Sequence, residues 1–222
     1  MSIKNANVLL AAMKSSGLIP VFNHKDPETA ITVMKTAKEA GLQVFEFTNR
    51  GVHSLEVFKE MKAIAKEWSD FYLGIGTILD ITSAEAYYTA GADFFVSPIW
   101  SQGLCDWMMR QKVIWIPGCG TVSEVYEASN QGAVLIKAFP GNVLGPAFIS
   151  AIKSVLPDVL LMPTGGVEPT QENLKSWFSA GVHCVGMGSQ LFDQRSIASK
   201  DYDGLKNKII VVKKTIAQVE HP

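Results

Sequence analysis

A single lysine, Lys137, interrupts one of the most apolar segments of the chain. Residues 133–140 read Ala-Val-Leu-Ile-Lys-Ala-Phe-Pro, a pattern that predicts a buried β-strand carrying one cation. An unpaired ammonium in such surroundings costs several kcal/mol or loses its proton. Desolvation therefore favours the neutral amine, which is the form that a Schiff-base nucleophile needs. The alternative is a lysine near a strand end that reaches solvent or is neutralised by a carboxylate.

A carboxylate, Glu46, interrupts a second apolar strand between Phe45 and Phe47. Side chains alternate across a strand, so Glu46 shares a face with Val44 and Thr48, as Lys137 does with Leu135 and Phe139. If both faces point into one interior, an amine and a carboxylate converge there. Glu46 would then be a general acid/base with a raised pKa. The alternative is a purely structural partner for the lysine, because buried charges normally pair.

Polar residues also follow other apolar segments. Arg50 comes after the strand of Glu46 and offers a planar fork for a carboxylate, although a solvated loop arginine would look the same. Thr77 ends the glycine-rich sequence Gly-Ile-Gly-Thr at residues 74–77, where a ligand could approach closely. The turn alone would also explain those glycines.

Two glycine-bearing loops occur near the end of the apolar pattern. They read Pro-Thr-Gly-Gly at residues 163–166 and Gly-Met-Gly-Ser at residues 186–189. In barrels of alternating strands and helices, loops at this position cradle phosphate with backbone N–H groups and a helix N-terminus. One Gly-Gly pair is weak evidence, but two consecutive loops together favour a phosphate site.

These residues need a scaffold of alternating strands and helices. Apolar runs predict eight strands, at residues 17–22, 44–48, 71–78, 93–98, 113–117, 133–139, 159–163 and 182–187. Amphipathic segments lie between them, and a small residue followed by glycine recurs before several strands as a helix C-cap. The pattern predicts an α/β protein, a single-domain eight-stranded parallel (β/α)8 TIM barrel over residues 1–222 with an extra N-terminal helix. The site is then expected at the carboxyl ends of the strands.

Composition excludes several functional classes. The 222 residues carry 20 basic and 21 acidic side chains, which gives no electrostatic footprint for nucleic acid or an anionic membrane. The apolar runs are too short to span a bilayer, and residues 1–17 show no signal-peptide pattern. Three widely spaced cysteines suggest reduced thiols. We expect a cytoplasmic protein with no membrane or nucleic-acid partner.

Metal chemistry is not indicated either. The four histidines, His24, His53, His183 and His221, show no metal-ligand spacing and no accompanying carboxylate cluster. Cys119 has no identifiable partner base, so packing explains it better than reactivity. The prediction is therefore an enzyme without metal or other cofactor.

At this point the sequence resembles a known family, the class I aldolases that act on 2-keto-3-deoxy-6-phosphogluconate (KDPG) and 4-hydroxy-2-oxoglutarate (KHG). The resemblance covers nearly the whole chain. It rests on Ile-Pro-Val at 19–21, Glu-Phe-Thr-Asn-Arg at 46–50, Gly-Ile-Gly-Thr at 74–77, Ser-Pro at 97–98, Ile-Pro-Gly at 116–118, Lys-Ala-Phe-Pro at 137–140 and Pro-Thr-Gly-Gly at 163–166. Each motif is short, but their order and spacing together are specific.

The resemblance implies a homotrimeric, metal-independent enzyme and a role for each candidate residue. By it, Lys137 forms the imine and Glu46 is the general base and acid. Arg50 and Thr77 hold the pyruvate carboxylate. The remaining residues line the site or hold the phosphate: Pro98, Phe139, Thr164, Gly165, Gly166, Gly188 and Ser189.

The implied reaction is reversible cleavage of KDPG into pyruvate and glyceraldehyde 3-phosphate, with cleavage of KHG into pyruvate and glyoxylate as a second activity. Arg50 argues against a 2-keto-3-deoxy-6-phosphogalactonate enzyme, because barrels with that activity lack the arginine. Two alternatives share the glycine loops: another phosphate-binding barrel enzyme (a sugar-phosphate epimerase, isomerase or decarboxylase) and a non-catalytic binding barrel.

Overall fold

The computed structural model describes residues 6–220. Within them, ten helices (α1 to α10) span Ala6–Ser16, Pro27–Glu39, Ser54–Ala65, Ile81–Ala90, Gln102–Gln111, Val122–Asn130, Gly141–Val155, Gln171–Ser179, Gln194–Ala198 and Tyr202–Glu220. Nine strands (β1 to β9) span Leu18–Phe22, Val44–Thr48, Tyr72–Gly76, Phe95–Val96, Trp115–Ile116, Gly118–Cys119, Ile136–Ala138, Leu161–Pro163 and Val185–Met187. The predicted N-terminal helix is present as α1, and residues 1–5 lie outside the described part.

Local sequence explains where the helices begin and end. At α2, the side chain of Asp26 accepts the backbone N–H of Thr29, and Pro27 occupies the first helical position. The four glycines of the small residue–Gly repeat follow the carboxyl ends of helices. All four have the positive φ that a left-handed turn requires: Gly41, Gly91, Gly132 and Gly181. The prediction that these glycines end helices and lead into strands is confirmed.

The strands are paired in parallel, which confirms the α/β class, but the predicted closed eight-stranded barrel is wrong. Hydrogen-bonded ladders form a six-stranded sheet in the order β5-β4-β3-β2-β1-β9 and a separate three-stranded sheet in the order β6-β7-β8. Between β8 and β9 the described chain has one isolated bridge, Thr164 with Gly186, instead of a ladder.

The second interruption lies at Pro117. The sequence predicts one strand over residues 113–117, whereas the structure has β5 on one side of Pro117 and β6 on the other. Proline has no N–H to donate, so Pro117 cannot supply a donor to extend the ladder. β5 therefore pairs with β4, and β6 pairs with β7. Apolar runs reveal strands, but they do not reveal which ladders are completed.

The buried apolar side chains of residues 6–220 form two clusters. The larger one lies between the strands and the surrounding helices and includes Phe45, Phe47 and Ile136. The second gathers inward-facing residues near the amino ends of the strands, such as Val44 and Leu135, with the apolar face of α1: Leu9, Ala12 and Met13. α1 therefore covers the amino ends of the strands. The opposite, carboxyl ends remain for a site.

Candidate active site

Lys137 and Glu46 meet on the inner face of the strands. Each lies two residues beyond a member of the inner cluster, Leu135 and Val44, so strand alternation directs both side chains inward. Lys137 is 5% exposed and Glu46 is fully buried. The Lys137 Nζ is 3.7 Å from the Glu46 Oε1 and 5.2 Å from the centroid of the Phe139 ring. The two charged residues that sequence reasoning selected are therefore neighbours.

The Glu46 carboxylate is poorly satisfied. Neither oxygen has a hydrogen-bond partner within residues 6–220, since 3.7 Å to Lys137 is too long for a hydrogen bond. Burial raises the pKa of the Glu46 carboxyl above its usual value, and the positive charges of Lys137 and Arg50 oppose that shift only in part. The raised pKa is the one that the sequence predicted for Glu46, and its role as general acid/base stays a prediction.

A glycine makes room for this carboxylate. A Cβ on Gly76, on the neighbouring strand β3, would lie 1.9 Å from the Glu46 Oε1. The glycines before Thr77 thus have a specific steric role, in addition to the turn. Thr77 itself has a left-handed φ of 62°, which is uncommon for a residue with a branched side chain.

The strand of Lys137 is fixed by close backbone contacts. Lys137 donates its N–H to the carbonyl of Pro117 at 2.8 Å and lies opposite Gly118 in the β6–β7 register. A Cβ on Gly118 would come within 2.3 Å of the carbonyl carbon of Pro98. This packing places Pro98 in the neighbourhood of Lys137.

A cleft of about 840 Å³ lies just beyond this pair. Thr48 and Phe139, each two residues after Glu46 and Lys137 on the same strand faces, line it. Of the predicted residues, the cleft brings together the following: Arg50, Phe139, Thr164, Gly165, Gly188 and Ser189. Five predicted residues are not among those that line it: Glu46, Thr77, Pro98, Lys137 and Gly166.

The glycine loop after β8 packs closely against the start of α7. Gly165 and Gly166 have φ values of 90° and 69°, and a Cβ on Gly166 would lie 2.8 Å from the Cα of Asn142 at the start of α7. The neighbouring Thr164 Oγ1 is buried without a hydrogen-bond partner in the described chain. The loop thus offers an unused hydroxyl beside the cleft.

The cleft also contains residues that sequence reasoning missed. They follow β1, lie in the first turn of α2, or lie in and around α9: Asn23, His24, Thr29, Phe192, Gln194, Ile197, Ala198 and Lys200. The strand-end rule could have found Asn23 and His24. The segment around α9 is a short polar stretch without apolar periodicity, so nothing in the sequence marks it as a wall of the site.

Among the described residues, the other side chains considered for metal binding or thiol chemistry do not form a site. Residues 6–220 contain no group of three His, Cys, Asp or Glu side chains that could hold a metal, and His221 lies outside the described residues. Cys119 is buried, which raises the pKa of its thiol to about 12. No helix within this part of the chain has the length and apolar character to cross a membrane.

The site has the elements of imine chemistry: a buried amine, an adjacent unsatisfied carboxylate and an open cleft. Comparison with known proteins gives the same class. The family model described as "KDPG and KHG aldolase" matches residues 9–208. The chain therefore belongs to this family and is an aldolase, a carbon–carbon lyase.

Individual relatives agree. The chain is 32% identical over 203 residues to a 2-dehydro-3-deoxy-phosphogluconate aldolase of Pseudoalteromonas atlantica. The aligned residues cover 90% of this chain and 92% of that protein. It is 30% identical over 177 residues to the 2-dehydro-3-deoxy-6-phosphogalactonate aldolase of Escherichia coli, covering 79% and 84%. Among solved structures, a Legionella pneumophila KDPG aldolase with pyruvate captured as a covalent carbinolamine has a TM-score of 0.83 at 26% identity, covering 91% and 97%.

Proposed function

We propose that the protein cleaves KDPG reversibly into pyruvate and glyceraldehyde 3-phosphate through an imine at Lys137, and KHG into pyruvate and glyoxylate in the same way. The observation that carries this proposal is the buried Lys137 amine facing Glu46, a carboxylate with no hydrogen bond in the described chain.

The chemistry starts at the keto carbon, C2. The Lys137 amine attacks C2 to give a carbinolamine, which takes up a proton, loses water and becomes a protonated imine. Glu46 removes the C4 hydroxyl proton, directly or through a water. The C3–C4 bond then breaks, its electron pair flows to the imine nitrogen, and the aldehyde leaves. Protonation of the enamine at C3 and hydrolysis release pyruvate and regenerate the lysine.

The cleft residues supply orientation. Arg50 lies at the mouth, where its backbone N–H is held by the Ser54 Oγ at 3.1 Å, and its guanidinium suits the substrate carboxylate. Thr77 would assist it, while Pro98 and Phe139 line the reacting carbons. Thr164, Gly165, Gly166, Gly188 and Ser189 would hold the phosphate. Because the imine is itself the electron sink, this route uses no metal.

Borohydride reduction in the presence of pyruvate tests the mechanism. We expect mass spectrometry to find one reduced pyruvate adduct, on the peptide that contains Lys137. Lys62, which is also buried in the described part of the chain, serves as an internal control and is expected to stay unmodified. An adduct elsewhere, or none, would contradict the role of Lys137.

A coupled assay of pyruvate release separates the rival functions. An epimerase, isomerase or decarboxylase would turn over a sugar phosphate without releasing pyruvate, and a non-catalytic barrel would bind ligand without turnover. KDPG and its C4 epimer, 2-keto-3-deoxy-6-phosphogalactonate, should be compared side by side. Faster turnover of the galactonate compound would contradict the assignment based on Arg50.

We also propose a homotrimer in the cytoplasm. Apolar side chains are exposed after three strand ends, β3, β4 and β6, and would suit a subunit contact: Leu79, Ile81, Ile99, Val122 and Tyr126. The three cysteines are free and buried, as a reducing compartment allows. Light scattering after size-exclusion chromatography should give about three chain masses, and a monomer would contradict the trimer.

A further inference from the structure

Two side chains in the cleft have no part in the chemistry described above. His24 lies two residues after β1, and Lys200 lies two residues after α9. Both line the cleft. Because β1 pairs with β9, His24 lies on the same side of the cleft as the loop after β9, which carries Gly188 and Ser189.

One nitrogen of the His24 ring, Nδ1, is engaged by the backbone of Asp26. The backbone N–H of Asp26 donates to the His24 Nδ1 at 3.1 Å, and the ring is parallel to that of Phe22, with an interplanar angle of 4°. The same Nδ1 is 3.3 Å from the Asp26 carbonyl oxygen, so the backbone of Asp26 engages Nδ1 in either tautomer. Within residues 6–220, Nε2 has no hydrogen-bond partner, so it is the ring nitrogen that can donate to an anionic ligand when it carries a proton.

Lys200 is exposed in an unusual backbone conformation. Its φ is 55°, in the left-handed region that is unfavourable for a residue with a side chain. Its N–H donates to the carbonyl of Ile197 and thereby ends α9 at the cleft. The described chain offers its Nζ neither a hydrogen bond nor an ion pair.

The charged side chains that line the cleft are basic: Arg50 lies on the side of β2, and Lys200 lies on the side of α9. The His24 imidazole lines it after β1, and the nearby carboxylates of Glu46 and Asp26 are not among the described lining residues. Cationic groups on two sides of a cleft of about 840 Å³ suit a substrate with an anionic group at each end. One end is the keto-acid carboxylate.

We propose that His24 and Lys200 bind the phosphate at the far end of the substrate and so set the preference for a phosphorylated aldehyde half. This inference rests on the proposed function and adds two specificity-determining residues to it. The glycine loops hold the phosphate through backbone N–H groups, and His24 and Lys200 supply side-chain donors beside them. The far carboxylate of KHG is bonded directly to C4, whereas the phosphate of KDPG is on C6, so the KHG carboxylate does not extend to His24 and Lys200.

Steady-state kinetics on His24→Gln, Lys200→Met and the double variant test the proposal. We expect KM for KDPG to rise about 10-fold in each single variant and roughly 100-fold in the double variant, with kcat within about 3-fold. Values for KHG should change less than about 3-fold. Lys200→Arg should retain most of the KDPG affinity, and Lys35→Met, an exposed lysine outside the cleft, should behave like the parent.

Equal losses on both substrates, a loss confined to KHG, or unchanged KDPG kinetics would overturn the proposal. Calorimetry with inorganic phosphate gives a readout independent of turnover, with weaker binding expected in the double variant. If the parent protein releases no pyruvate and forms no borohydride adduct, the proposed function fails. Phosphate binding that depends on His24 and Lys200 would still support the anion site, and phosphate binding unchanged in the double variant would refute it.

Discussion

Two buried lysine–carboxylate pairs lie at opposite ends of the strands and differ in how well they are satisfied. Near the amino ends, Lys62 of α3 contacts Asp93 at 2.5 Å, and Asp93 also accepts the backbone N–H of Leu73 at 2.8 Å. Near the carboxyl ends, Lys137 and Glu46 are 3.7 Å apart. Neither Glu46 oxygen has a hydrogen bond within the described residues.

The difference in hydrogen bonding indicates that the two lysine–carboxylate pairs have different roles. A short, multiply hydrogen-bonded pair recovers much of its desolvation cost and fixes a helix against a strand. A loose pair recovers less, and its carboxylate keeps a raised pKa. Groups that must gain and lose protons or bonds during a reaction need this looser arrangement. The pair at the amino end stabilises the fold, whereas we propose that the pair at the carboxyl end performs the reaction.

The largest expected effect is that of Lys137→Met on catalysis. Without the amine no imine forms, so kcat/KM for KDPG should fall by about 10³-fold or more. The borohydride adduct with pyruvate should disappear. Folding should suffer less than when Lys62 is replaced, because Glu46 can take up a proton. Activity within a few-fold of the parent would show that Lys137, like Lys62, is not needed for the reaction.

Lys62→Met should affect stability instead of catalysis. Removing one partner of a tight buried pair takes the Lys62 ammonium away from the Asp93 carboxylate, so urea denaturation should show that the free energy of unfolding falls by about 3–5 kcal/mol. For the folded variant, kcat/KM should stay within about 3-fold of the parent. Lys59→Met removes one partner of an exposed pair with Glu56 and should change stability by no more than about 1 kcal/mol. Equal losses in the two variants would refute the stabilising role of Lys62.

Gly76→Ala probes the position of Glu46. The added Cβ would lie 1.9 Å from the Glu46 Oε1, so the carboxylate must move away from the reacting centre. A displacement of this order reduces kcat by about 100-fold. Gly103→Ala is the matched control, because the nearest atom to its Cβ is 4.0 Å away. A Gly76→Ala enzyme with parental kcat would show that the position of Glu46 is not critical.

The smallest expected effect concerns Glu46→Gln and pH. The pKa of the Glu46 carboxyl is raised in the folded state above the ordinary value of 4.5. As pH rises past 4.5, the unfolded chain loses this proton first, so the contribution of Glu46 to stability falls with increasing pH. Glutamine does not titrate. The Tm of Glu46→Gln relative to the parent should therefore increase between pH 4.5 and 7, and a constant difference would contradict the raised pKa.

The parts of the site that lie on strands could be predicted from the sequence. Lys137 and Glu46 are charges within apolar strands, and period-two alternation places each on a definite face. The carboxyl-end rule then collected Arg50, Phe139 and Thr164 into one cleft. His24 and Lys200 escaped because a polar residue in a loop looks the same whether it faces a cleft or open solvent.

The sequence by itself determined the parallel α/β class, the order of helices and strands, and the pair of titratable residues, because these follow from local periodicity and from the cost of burying charge. The tertiary structure decided that the strands form two sheets instead of a closed barrel, since ladder closure depends on distant pairing and on the missing N–H of Pro117. It also decided that the Glu46 carboxylate makes no hydrogen bond within residues 6–220, whereas the Asp93 carboxylate accepts one from Leu73 and contacts Lys62. That difference arises from atoms brought together by folding, and it separates the two lysine–carboxylate pairs.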